Sequence, residues 1–154
     1  MNMPEKFLVV GTGLLILAFA STLSWAGSEP CETNFTVKDG LFDKKIYKTW
    51  QDFPIVPIQS IYRRAYKSLV KDGWIINLTD KEGGVISASQ LAGSSGEGGK
   101  VASLNVFMEN AGKYGSVLGN VRVSMIFSVP SGLHADEHMV RMNFCAILTD
   151  IKQY

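Results

Sequence analysis

Cysteine is scarce: two residues in 154 exclude a disulfide-dense scaffold and a four-cysteine zinc site. Charge of one sign is also missing, because 15 basic and 14 acidic side chains leave a formal net charge of +1. Such a balance supplies no global pull toward nucleic acid. No internal repeat and no sustained heptad is visible, which excludes a solenoid and a coiled coil. No serine stands in a G-x-S-x-G elbow, and no glycine-rich stretch ends in G-K-S/T. What remains is a globular composition, 46% hydrophobic and 19% charged, in a chain sized for one domain.

The one long apolar run lies at the start. Phe7 to Ala20 follows Lys6, and small Ser24 and Ala26 flank Trp25. A short basic start, an apolar stretch and a small-x-small exit form the pattern of a secretory signal. Residues 1–26 are therefore expected to be a signal peptide, with a mature chain starting at Gly27. Retention as a membrane anchor is the rival reading, since Phe7 to Ala26 just reaches the ~20 residues that span a bilayer. Gly11, Gly13, Ser21 and Thr22 weaken that span. Localisation follows: exported, in the periplasm of a Gram-negative source, otherwise secreted or membrane-anchored. No small-residue box precedes Cys31, so lipidation there is not expected. Export also decides the cysteines, because two thiols in one small exported chain are most simply a Cys31–Cys145 disulfide.

Residues 27–43 read as an irregular leading segment and residues 44–154 as a single α+β domain. Ile46 to Trp50 alternates as a first strand, broken by Pro54 and Pro57. Pro57 suits the first position of a helix, where its missing N–H costs nothing. Ile58, Ile61, Tyr62, Ala65, Leu69 and Val70 then recur at helical spacing, and Gly73 is a stop. Trp74 to Leu78 and Val85 to Ser89 read as a hairpin around Asp80 to Gly84. Gly93 to Gly99 reads as a flexible loop, not a phosphate cradle. Ala102, Leu104, Val106 and Met108 make one inward row; Val121, Val123, Met125, Phe127 and Val129 make another. Asn120, Arg122, Ser124 and Ser128 point the other way. Asp136 to Lys152 fits either a helical stripe (Val140, Phe144, Ile147, Leu148, Ile151) or an alternating strand. Its length favours helix. The expected architecture is an amphipathic helix on an antiparallel sheet of four to five strands, with a C-terminal helix.

Ile58 to Ala88 resembles a pattern of small bacterial envelope proteins, many of them lipoproteins. That pattern is an amphipathic helix, then L-x-x-x-G-aromatic-x-I, then D-x-x-x-G-x-I-x-A. Here it reads Leu69, Gly73, Trp74 and Ile76, then Asp80, Gly84, Ile86 and Ala88. The resemblance implies a helix on an antiparallel sheet, similar to the helix-grip domains of outer-membrane assembly lipoproteins.

The sharpest local constellation is His134, Glu137 and His138, which matches H-x-x-E-H, a zinc-hydrolase pattern with Glu as base. Pro130, Ser131 and Gly132 just upstream place His134 in a loop, and a solvated helix start is the plainer reading. Arg63, Arg64, Lys67 and Lys71 form a basic helix face, either solvated or touching an acidic partner or lipid. Tyr47, Trp50 and Trp74 read as core, or as the wall of a groove for a ligand or peptide. Asn34-Phe35-Thr36 and Asn77-Leu78-Thr79 are glycosylation sequons, meaningful only in a eukaryotic source.

These residues point to an exported, non-enzymatic envelope accessory or binding protein that uses its surface or a groove beside the helix. It would need no cofactor. Its partner would be an envelope protein or small ligand, with a membrane surface as an option and nucleic acid excluded. The alternatives are a small metal-dependent hydrolase at His134, Glu137 and His138, and a membrane-anchored assembly subunit.

Overall fold

The computed structural model describes residues 29–41, 44–91, 100–111 and 120–153. The expected signal and the Gly93 to Gly99 loop lie outside the described residues. Among those described, no helix is long and apolar enough to cross a membrane.

The expected helix is α2, Ile58–Lys71. Ile61, Tyr62, Ala65, Ser68 and Leu69 are buried along one face, as the helical period dictates. Ser68 takes the place expected for Val70, which is 49% exposed. Pro57 stands one position earlier than expected, at the N-cap, where its carbonyl accepts from the Ser60 and Ile61 N–H groups at 2.9 and 3.2 Å. The missing N–H is harmless in either place.

At the far end the Trp74 N–H donates to the Leu69 carbonyl at 3.0 Å, and the Gly73 N–H donates to Val70 at 3.2 Å. With Gly73 at φ 80°, this is a Schellman stop. The L-x-x-x-G-aromatic pattern thus records how a helix ends and where its next side chain is delivered.

Among the described residues six strands make one antiparallel sheet: β1 (Thr36–Asp39), β2 (Lys45–Phe53), β3 (Ile75–Asp80), β4 (Val85–Leu91), β5 (Val101–Asn110) and β6 (Val121–Val129). Their spatial order is β1-β2-β6-β5-β4-β3. The expected four to five strands fall short because β1 lies in the segment read as irregular. Its four residues are polar except Val37, and pairing with β2, not burial of a side-chain row, makes it a strand. The first strand also continues past Trp50 to Phe53, with Thr49, Gln51 and Phe53 buried on its inner side.

The β3–β4 hairpin turns as expected. The Asp80 carboxylate accepts from the Glu82 and Gly83 N–H groups at 3.1 and 2.9 Å, and Gly84 follows at φ 67°. Gly84 is needed for space too, since a Cβ there would stand 2.3 Å from the Met108 carbonyl oxygen. One strand departs from simple alternation. A bulge between Ile76 and Leu78 shifts the register, so Ile76 stays on the inner face while Leu78 turns outward and is 57% exposed.

The C-terminal segment is helix α3, Glu137–Gln153, and its buried residues are the helical stripe Val140, Phe144, Ile147, Leu148 and Ile151. Asp136 caps it, Oδ1 accepting from the Met139 N–H at 2.9 Å. A short helix, α1 (Pro30–Thr33), is tied to α3 by the Cys31–Cys145 disulfide, with Cα atoms 5.5 Å apart. The Thr49 hydroxyl adds a 2.6 Å bond to the Cys31 carbonyl.

The core lies between α2, α3 and one sheet face; of the two expected inward rows it holds all but Ala102, which is buried, and Phe127, which is half-buried against it. Ile61, Ala65, Leu69, Leu104, Val106 and Leu148 are fully buried. Truncating one of the larger residues to Ala costs on the order of 2–5 kcal/mol. Phe35, Tyr47, Phe127, Phe144 and Trp74 form a chain of ring contacts with centroids 6.0 to 6.5 Å apart. Burial pushes the Tyr47 hydroxyl up from its ordinary value, and it donates to the Ala135 carbonyl at 3.0 Å.

Candidate functional site

His134, Glu137 and His138 are all exposed. His134 lies in the loop before α3, and His138 lies in its first turn. The Glu137 carboxylate accepts from Arg141, one turn on, at 3.3 Å. Among the described residues no group of three or more His, Cys, Asp or Glu side chains could hold a metal ion.

The basic face of α2 divides in two. Arg64 turns toward α3 and donates to the Ile151 carbonyl at 3.3 Å, and Lys71 pairs with Asp150 at 3.2 Å. Arg63 and Lys67 are exposed on the other side of the helix.

The three aromatic residues separate as well. Tyr47 is core. Trp50 lies on the opposite face of the sheet, 37% exposed, so it belongs to no groove with Trp74. There Arg122 stacks over the Trp50 ring at 4.1 Å while holding Asp52 through paired bonds of 2.8 and 3.0 Å. Asp52 and Arg122 are direct cross-strand neighbours, which fixes this stack.

Trp74 is different. The Schellman stop delivers it to the mouth of a cleft between α3 and the sheet. A cavity of about 230 Å³ is floored by Phe127, Phe144 and Ile147 and walled by Val140 and Met139. A second, of about 250 Å³, shares Trp74, Gln90, Asn143 and Ile147 with it and reaches Asp72 and Ala146. The two cavities adjoin at the indole, the first mainly apolar and the second lined by polar and apolar residues alike.

Few polar groups line the first cavity. Gln90 comes from β4 and Asn143 from α3, so each element contributes one amide-bearing residue to the lining of both cavities. Each amide offers both donors and an acceptor. Asp136 also stands at the rim, although its carboxylate is engaged in capping α3. An apolar floor with two neutral amides at the mouth can hold a small apolar molecule and orient one polar group.

Gln90 lies one residue beyond the expected strand end at Ser89, and its parity with Ile86 and Ala88 places it on their side of β4. Asn143 carried no signal beyond lying next to the buried stripe of α3. Phe127 was expected in the core, and its ring meets Trp74 edge-on with centroids 6.0 Å apart.

No protein-family model matches the chain, and no curated protein matches it. Among solved structures, a Chromobacterium violaceum protein shares 12% identity over 68% of this chain and 94% of its own, with a TM-score of 0.36. The crystal structure of Ara h 8.0201 shares 13% identity over 71% of this chain and 97% of its own, with a TM-score of 0.33.

Proposed function

We propose that this protein is an exported, non-enzymatic binding domain that holds a small apolar molecule in the cleft between α3 and the sheet. The observation that carries this reading is the placement of Trp74. A Schellman stop, an edge-on contact with Phe127 and two cavities sharing its indole converge on one residue. Apolar concavity with few placed polar groups is the usual form of a small-molecule site. Phe127, Phe144 and Ile147 supply the apolar contact. The Gln90 and Asn143 amides select a ligand with one hydrogen-bonding group near its end. Each cavity is somewhat below the roughly 300–1,000 Å³ of drug-sized sites, so the ligand is a compact ring system or short chain.

Export rests on Phe7 to Ala20 and the Ser24-x-Ala26 exit, and a disulfide accords with an oxidising compartment. Intact-mass measurement of the secreted chain should give a start at Gly27; a mass retaining residues 1–26 would replace export by anchoring.

Calorimetric titration with naphthol, an apolar ring pair carrying one hydroxyl, tests the binding reading. Saturable binding is expected, and Asn143→Trp, which places an indole in the opening, should abolish it while leaving the fold intact. Equal heats from parent and variant would refute the cleft as the site.

A further inference from the structure

A second concavity shares no residue with the Trp74 cleft. It lies between the outer side of α2 and β3, with a volume of about 510 Å³. Tyr62, Arg63 and Tyr66 line it from the helix, Thr79 and Lys81 from the strand and turn. Helix α2 contains no carboxylate at all, and Lys67 lies one turn beyond Arg63 on the same side. The net charge of +1 is therefore distributed unevenly, with a local excess of cations here.

The nearby carboxylates offset it only in part. Asp80 keeps its charge while it accepts from the backbone N–H groups of its own turn, so it opposes Lys81 and leaves the excess on the helix side, at Arg63 and Lys67. Asp150 is taken by Lys71 and lies toward α3. Glu82, beside Lys81 in the turn, is the competing anion. Arg63, Lys67 and Lys81 have no ion-pair partner among the described residues.

The strand side matters equally. β3 is the last strand of the sheet among the described residues, so one side of its backbone has no strand partner among them. Thr79, on that strand, lines the groove. A chain lying in the groove would run alongside these N–H and C=O groups. The bulge between Ile76 and Leu78 restricts regular pairing to the end near Asp80, so charge has to supply much of the attraction.

We propose that the groove between α2 and β3 binds an extended acidic peptide segment whose carboxylates meet Arg63, Lys67 and Lys81. The concave shape favours an inserted chain over a membrane, which a flat or convex cationic face would meet better. Tyr66, 41% exposed, supplies ring surface for its side chains, and its hydroxyl can donate to a carboxylate.

Fluorescence anisotropy of a labelled peptide of alternating Glu and Ser, titrated with the full chain at low salt, tests this. Saturable binding that weakens steeply as salt rises is expected. Arg63→Glu with Lys81→Glu should reduce affinity at least tenfold, and Arg63→Gln with Lys81→Gln by a smaller factor. Lys38→Glu with Lys48→Glu, an equal charge change on β1 and β2, should leave it within about twofold. No saturable binding, or equal losses from both reversals, would overturn the proposal. So would capture by phosphatidylserine vesicles that the Arg63 and Lys81 reversals abolish while the peptide fails to bind.

Discussion

The Trp74 N–H donates to the Leu69 carbonyl at 3.0 Å, and this one bond both ends α2 and aims the indole at the α3 cleft. It requires Gly73 at φ 80°, a conformation that costs an L side chain roughly 1–2 kcal/mol. Nothing stands within 4 Å of a Cβ placed there, so the cost is conformational alone. Gly73→Ala should lower stability in urea by about 1 kcal/mol and alter Trp74 emission. No change in either would separate the helix stop from the cleft.

Gly84→Ala makes the contrasting case. Its Cβ would meet the Met108 carbonyl oxygen at 2.3 Å, a backbone atom that cannot rotate away. The same urea experiment should show a loss above ~2 kcal/mol, larger than at Gly73. Equal losses would show that the β4–β5 contact yields.

The Cys31–Cys145 bond closes a loop with a sequence separation of 114. Chain-entropy reasoning gives a ceiling near 5 kcal/mol, and removal of such bonds from small domains typically costs 2–5 kcal/mol. Cys31→Ser with Cys145→Ser should fall in that range. Amide exchange should accelerate first at α1 and β1, which the bond and the Thr49–Cys31 contact secure. Unchanged exchange there would show that pairing with β2 suffices.

Ile55 is a β-branched residue at φ 58° and 74% exposed, in the turn between β2 and α2. Its strain is unrelieved by burial. Ile55→Gly should raise stability by about 0.5–1 kcal/mol, because relief of roughly 1–2 kcal/mol exceeds the added unfolded-state entropy. A loss of stability would mean that the side chain makes contacts that offset the strain.

Helix α2, the β3–β4 turn and the inner rows of β5 and β6 were legible because each rests on local chemistry: a periodic stripe, Asp80 with Gly84, strict alternation. The α3 stripe was legible too, with helix favoured over strand by length. β1 was not, because its strand state comes from a partner nearer the middle of the sheet. The outward turn of Leu78, against the alternation with Trp74 and Ile76, was not legible because a bulge leaves no mark in hydropathy. Trp74 was visible as an aromatic residue after a helix stop, but its grouping with Trp50 failed. Trp50 and Tyr47 lie on opposite sheet faces, and the extent of a strand does not say which aromatic neighbours share a cavity. Gln90 and Asn143 come from distant parts of the chain, and only the packing of α3 on the sheet brings them to one opening.

Two-dimensional ¹H–¹⁵N NMR of the protein titrated with naphthol tests the cleft most directly. The Trp74 indole N–H and the Gln90 and Asn143 side-chain amides give resonances of their own. All three should shift together along one saturable curve, while the Trp50 indole on the opposite sheet face stays in place. Shifts centred on Trp50, or none at the Trp74 indole, would contradict the account.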